Sequence, residues 1–327
     1  MNKLIKGLKV GSYSEKANEE HALEQYEEHQ QTKKSISHTH THQQKVVRRR
    51  SRSYTDKDLS RYAKALRKTS TLEELNLGWN NIMLLNKRFN QAIASNNTLK
   101  KLYLIGNDIG DRGVSKFSIA LQQNSTLEVV GLSSNNIGDE GAGFLAEALR
   151  TNSSIRKLYL STNQIKVEGA RLLADAMKAN TSIRELWLND NRISSEGAEA
   201  FAACLKQNQS LQQLHLWGND VGDEGSSFLA TSLKFNHSLR KLCLSNNAIS
   251  DEGARSFAHA IIVNQTIKEI LLFDNEIGND GAERLAVALE TNHTIKNLDL
   301  SGNKISVCVI RALERRTCPV MQFEQQL

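Results

Sequence analysis

A unit of 28 residues recurs eight times without drift, beginning at Thr98, Thr126, Ser154, Ser182, Ser210, Ser238, Thr266 and Thr294. One more copy starts at Thr71, a single residue short, so nine units fill most of the 327-residue chain. Fixed periods of this size mark stacked arrays, in which each unit buries its apolar face only against its neighbours. Function is then expected on a repeated surface, and no enclosed cleft is implied.

The first half of each unit reads as a strand. In Ser182 to Gln209, Leu186 and Leu188 alternate with Glu185, Trp187 and Asn189, the period-two pattern of a strand with one buried face. Equivalent pairs recur from Leu75/Leu77 to Leu298/Leu300, so nine strands are predicted. An asparagine stands ten positions into every unit: Asn80, Asn107, Asn135, Asn163, Asn191, Asn219, Asn247, Asn275 and Asn303. Its side chain can bond the backbone where the chain leaves the sheet, which makes this column a structural ladder. Identical residues in every unit cannot single out one catalytic constellation.

The second half carries helix punctuation. Asp139 is placed to cap a helix whose apolar stripe runs through Ala142, Leu145, Ala146 and Leu149. Glycines from Gly113 to Gly281 recur just inside these helix starts, implying close backbone contact between adjacent repeats. Helices are about 10 Å wide and neighbouring strands about 4.8 Å apart, so such an array bends with its strands on the inner side. The expected fold is an α/β solenoid, a right-handed superhelix with a parallel concave sheet of about nine strands and helices on the convex side.

These residues resemble the leucine-rich repeat proteins, in particular the ribonuclease-inhibitor-like class. The pattern LxxLxLxxNxI followed by a Gly-Ala helix covers about residues 71 to 305, and Thr55 to Ser70 resembles a preceding helical half-repeat. Uniform units of one length, with four Cys in the chain, are more similar to the repeat domains of NOD-like innate-immune receptors than to the cysteine-rich inhibitor itself. No GxxxxGK[ST] phosphate loop occurs. The expected organisation is a disordered tail over 1–54, acidic and then basic, a repeat domain over 55–318 and a short tail over 319–327.

Residues 1–54 contain eleven Lys and Arg against six Glu, so of the chain's 42 basic and 36 acidic residues the remainder holds 31 and 30. The pI near 9 is therefore largely a property of the tail. That balance alone implies no basic stripe on the array, which argues against nucleic acid as a partner. The four Cys do not form terminal disulfide caps, and reduced thiols are expected. MNKLIKGLKV is too short and too interrupted by Lys for a signal h-region, and no 18-residue apolar run exists. A cytoplasmic location is expected, with Lys45 to Arg52 able to direct nuclear import. Ser51 and Ser53, set among arginines, resemble phosphorylation sites. His38, His40 and His42 read as a solvated low-complexity stretch, and no metal or other cofactor is expected.

Strand alternation allows the outward-facing residues to be read off. The central outward column runs through Tyr103, Tyr159, Trp187 and His215, and the next through Trp217 and Phe273. With Trp79 just beyond its strand, all three tryptophans fall on or beside the concave face. Tyr159, Trp187, His215 and Trp217 are expected to form one contiguous cluster, with Lys157, Glu185 and Asp190 in its polar rim. Trp and Tyr bury much area at little rotamer cost, which points to a non-enzymatic scaffold binding a protein or peptide, without a small-molecule substrate and as a monomer. Cys243 beside His215 lacks an evident orienting carboxylate, so a nucleophile and base are not expected. The resemblance also admits a regulator of small GTPases, as in Ran GTPase-activating proteins, and an innate-immune or host-interaction component that senses a ligand.

Overall fold

The computed structural model describes residues 45–48, 54, 58–317 and 320–323. The expectations for Ser51, Ser53 and the tail histidines lie outside these residues. Eleven strands alternate with ten helices along the described chain. The strands are β1 (Val46–Arg48), β2 (Glu74–Asn76), β3 (Lys101–Tyr103), β4 (Val129–Gly131), β5 (Lys157–Tyr159), β6 (Glu185–Trp187), β7 (Gln213–His215), β8 (Lys241–Cys243), β9 (Glu269–Leu271), β10 (Asn297–Asp299) and β11 (Met321–Gln322). The helices are α1 (Leu59–Lys68), α2 (Lys87–Ser95), α3 (Gly110–Gln123), α4 (Asp139–Thr151), α5 (Val167–Ala179), α6 (Ser194–Leu205), α7 (Gly222–Leu233), α8 (Asp251–Val263), α9 (Asn279–Thr291) and α10 (Val307–Thr317).

All strands are parallel and pair in chain order, β1 to β11, in one open sheet. Register follows the repeat: Lys157, Leu158 and Tyr159 of β5 face Glu185, Leu186 and Trp187 of β6. The inward leucines are almost wholly inaccessible and meet the apolar faces of the helices in one continuous core. Two strands stand beyond the nine that the repeat predicts. Lys45 accepts backbone hydrogen bonds from Glu73 and Glu74 at 2.7 and 3.0 Å, and β1 then covers the open side of β2. At the other end β11 pairs with β10, and Met321 and Phe323 bury the last exposed core. Both strands are too short to show periodicity.

The helix starts depart from expectation in an informative way. Asp139 does not cap its own helix. It is the first residue of α4, and its Oδ1 accepts from the amides of Lys166 and Gly169, 2.7 and 2.9 Å away, at the start of α5. Asp223 caps α8 through Ser250 and Gly253, Asp251 caps α9 through Gly278 and Gly281, and Asp111 reaches the Gly138 amide ahead of α4. This carboxylate crowds the recurring glycine in several units: a Cβ at Gly141 would lie 2.4 Å from Asp111 Oδ1, and one at Gly281 2.6 Å from Asp251 Oδ1, whereas at Gly197 and Gly225 it would meet Ile193 and Val221, at 2.5 and 2.8 Å. Val167 and Ser195 occupy the equivalent position ahead of α6 and α7. Those two helices instead begin with a left-handed residue, Ser194 at φ 60 and Gly222 at φ 62, whose amides bond Asn219 and Asn247 carbonyls.

Candidate functional site

Two asparagine ladders set the spacing of the sheet face. Asn191 Nδ2 donates to the carbonyls of Leu160, Leu188 and Asn189, and its Oδ1 accepts from the Ile165 amide at 3.0 Å. One side chain thus ties two successive units. A second ladder, from Asn96 to Asn292 at the helix exits, escaped the reading of the first. Asn180, for example, donates to Leu149 and Asn152 carbonyls and accepts from Ser182 and Ile183 amides. Its 28-residue spacing was the available signal.

On this frame three rings stack across adjacent strands. Trp187 lies face to face with His215, centroids 3.4 Å apart and planes 6° from parallel. Tyr159 approaches Trp187 at 5.7 Å with a 34° tilt. Trp187 and Tyr159 are half-buried, whereas His215 is only 3 % exposed and its Nε2 lies 3.3 Å from Gln213 Oε1. Below the rings, Lys157 and Glu185 pair at 2.9 Å, and Lys241 and Glu269 at 3.1 Å. The charges expected in a rim are therefore partly occupied by one another.

The other aromatics are not brought into the stack. Tyr103 leans over Gly131, where a Cβ would meet its ring at 2.9 Å. Trp217 and Phe273 stand two residues past β7 and β9 and are 4 % and 9 % exposed, so neither is an accessible contact. Trp79 is half exposed but sits on β2's exit turn, its ring lying over Gly106. That turn is left-handed in all nine units, including Trp79 (φ 57), Thr162 (φ 54), Asp190 (φ 50) and Asp274 (φ 52). Asp190 extends over the next turn, 2.8 Å from where a Gly218 Cβ would stand.

The buried thiols, Cys243 beside His215 and Cys204 within α6, are unsuited to nucleophilic work. Burial pushes the Cys243 thiol up, and it pushes Cys204 up to about 12, so neither supplies thiolate near neutral pH. Among the described residues no group of three His, Cys, Asp or Glu is placed to hold a metal. No helix there is long and apolar enough to cross a membrane.

A parallel sheet backed by one helix per 28 residues, with an asparagine at every strand exit, defines a repeat-built solenoid. A leucine-rich repeat family model matches residues 69–82, then seven segments from 95–118 to 263–286, and 291–307. The chain belongs to the leucine-rich repeat family. No curated protein matches it. Among solved structures, an internalin from Listeria monocytogenes is similar at 18 % identity and TM-score 0.49, covering 82 % of this chain and 78 % of that one. The actin-binding site 2 of leiomodin-1 is similar at 21 % identity and TM-score 0.34, covering 47 % and 75 %.

Proposed function

We propose that this protein is a non-enzymatic scaffold of the ribonuclease-inhibitor-like subclass that holds a protein or peptide partner against its sheet face at Tyr159 and Trp187, with the buried His215 ring stacked on Trp187. One observation carries the reading: a continuous three-ring stack on the open face, flanked by charged pairs. Stacking holds the Trp187 ring in place before a partner arrives, so little rotamer entropy remains to be lost on binding. The paired Lys157 and Glu185 supply orientation at the margin more than affinity. The buried thiols fit a reducing compartment such as the cytoplasm.

The test is affinity capture of a protein partner with the full chain. Trp187→Ala is expected to abolish capture while shifting the thermal midpoint little, because the side chain is half-buried. Arg171→Ala, on the exposed helix side, is expected to change neither. Capture undiminished in folded Trp187→Ala would remove the proposal.

A further inference from the structure

The sheet has a chemically distinct edge where every strand begins. Three positions into six of the nine units stand Lys100, Arg156, Arg184, Arg240, Lys268 and Lys296, with Glu73, Glu128 and Gln212 at the same place in the other three. Arg156, Arg184 and Arg240 each donate a guanidinium N–H to a carbonyl of the following unit, Ser182, Ser210 and Thr266, at 3.0 to 3.1 Å. These bonds fix the guanidinium groups in a regular row, and Arg156 and Arg240 remain exposed. The opposite edge is mixed, with Asp108, Asp190, Asp220 and Asp274 beside the cations Arg192 and Lys304. The nearly balanced charge of the array therefore conceals a local row of cations ahead of the strands, which the sum over the sequence could not show.

A second, independent feature lies on the basic edge. Phe235, Ile262 and Val263, at the ends of α7 and α8, are 57 %, 46 % and 56 % exposed. They stand in neighbouring units, close in sequence to the cations Lys234, Arg240 and Lys268. Large apolar side chains grouped beside a row of fixed cations call for a ligand that is both acidic and apolar.

We propose that this edge docks an acidic segment of a partner protein whose carboxylates alternate with large apolar side chains. Arg240, Lys268 and Lys296 lie on consecutive units and span about 10 Å at the strand spacing. An extended segment crossing the units places alternate side chains about 6.8 Å apart, which lets one set meet the cations and the other the Phe235 patch. Nucleic acid fits less well. Its evenly spaced phosphates would face Glu128, and strands held without sequence preference need open rings for base stacking. Trp187, the largest ring on the sheet face, has its neighbours Tyr159 and His215 against it.

Fluorescence anisotropy with the full chain tests this surface. The probes are a labelled peptide alternating Glu and Leu, its Lys and Leu counterpart, and a single-stranded DNA. The Glu-Leu peptide is expected to bind, more weakly as salt rises, and the Lys-Leu peptide not to bind. Arg240→Glu with Lys268→Glu is expected to weaken binding about tenfold or more, a loss of about 1.4 kcal/mol or more. Phe235→Ser, at an exposed site that the fold does not need, is expected to weaken it as well. Trp187→Ala is expected to leave it unchanged, which separates this surface from the ring stack. Absence of Glu-Leu binding, indifference to both sets of substitutions, or tighter binding of the DNA would each overturn the proposal.

Discussion

Trp187 ends β6 and Trp217 stands two residues past β7, in successive units, yet they serve different ends. Trp187 keeps an accessible edge, whereas Trp217 is enclosed and its backbone amide bonds Asn189 Oδ1 at 3.0 Å. Trp217→Ala is therefore expected to cost about 3–5 kcal/mol in urea unfolding, as for other buried large-to-small changes, and Trp187→Ala clearly less. Asp274 offers a pH-dependent test. Burial, and then the neighbouring Asp299 carboxylate, raise its pKa above the ordinary value of 3.8. The folded state thus binds its proton more tightly than the unfolded chain, and stability falls as pH rises through that interval. Asp274→Asn is expected to stabilise the protein at neutral pH, with the gain vanishing at pH below the ordinary carboxylate range. Asn also tolerates the left-handed φ of 52. The inward leucines and the asparagine column were legible because only those side-chain types meet the demand of their position. The burial of Trp217 was not, since alternation reports which face a residue points to and not what folds over it. The left-handed exit turn was only partly legible: Gly106, Gly218, Gly302 and Asn246 mark it, whereas Trp79, Ser134 and Thr162 stand in it without favouring that conformation.

At the scale of the element, several helix starts depend on a neighbouring unit, whereas α2 is capped by its own Asn86. Asp251 Oδ1 accepts from Gly278 and Gly281 at 2.6 and 2.9 Å, so α9 is completed by a residue of α8. Asp251→Ala is expected to cost about 1–2 kcal/mol, the range of a lost N-cap, measured as a shift in urea midpoint at unchanged slope. Sequence reading found the aspartate and misassigned its partner, because an acidic residue at a helix start looks the same whether it caps locally or across 27 residues. The three-residue β1 was equally invisible, lying in a basic run with no period to follow. Its place in the sheet comes from the unpaired side of β2 and from Arg48, which pairs with Glu74 at 2.8 Å.

Over the whole molecule, stability is a sum of units and of the interfaces between them, since each unit touches chiefly its neighbours. Leu188, wholly buried at the centre, links both halves of the array. Leu188→Ala is expected to cost about 2–5 kcal/mol and to broaden the unfolding transition by weakening one interface. Circular dichroism and tryptophan fluorescence should then part company, because Trp79 reports the first unit and Trp187 with Trp217 the middle. Coincident, sharp transitions in the variant would show an array that unfolds as one body.

The aspartate caps act in one direction only, from an earlier unit to a later one: Asp139 to α5, Asp223 to α8, Asp251 to α9. A chain leaving the ribosome presents its early units first, and synthesis is slow beside the forming of a helix. Each of these helices would thus emerge to find its cap already in place on the finished neighbour. Helices α6 and α7, which lack such an aspartate, differ: the amides of Ser194 and Gly222 bond the carbonyls of Asn219 and Asn247, so the starts of α6 and α7 are completed only once the following unit is made.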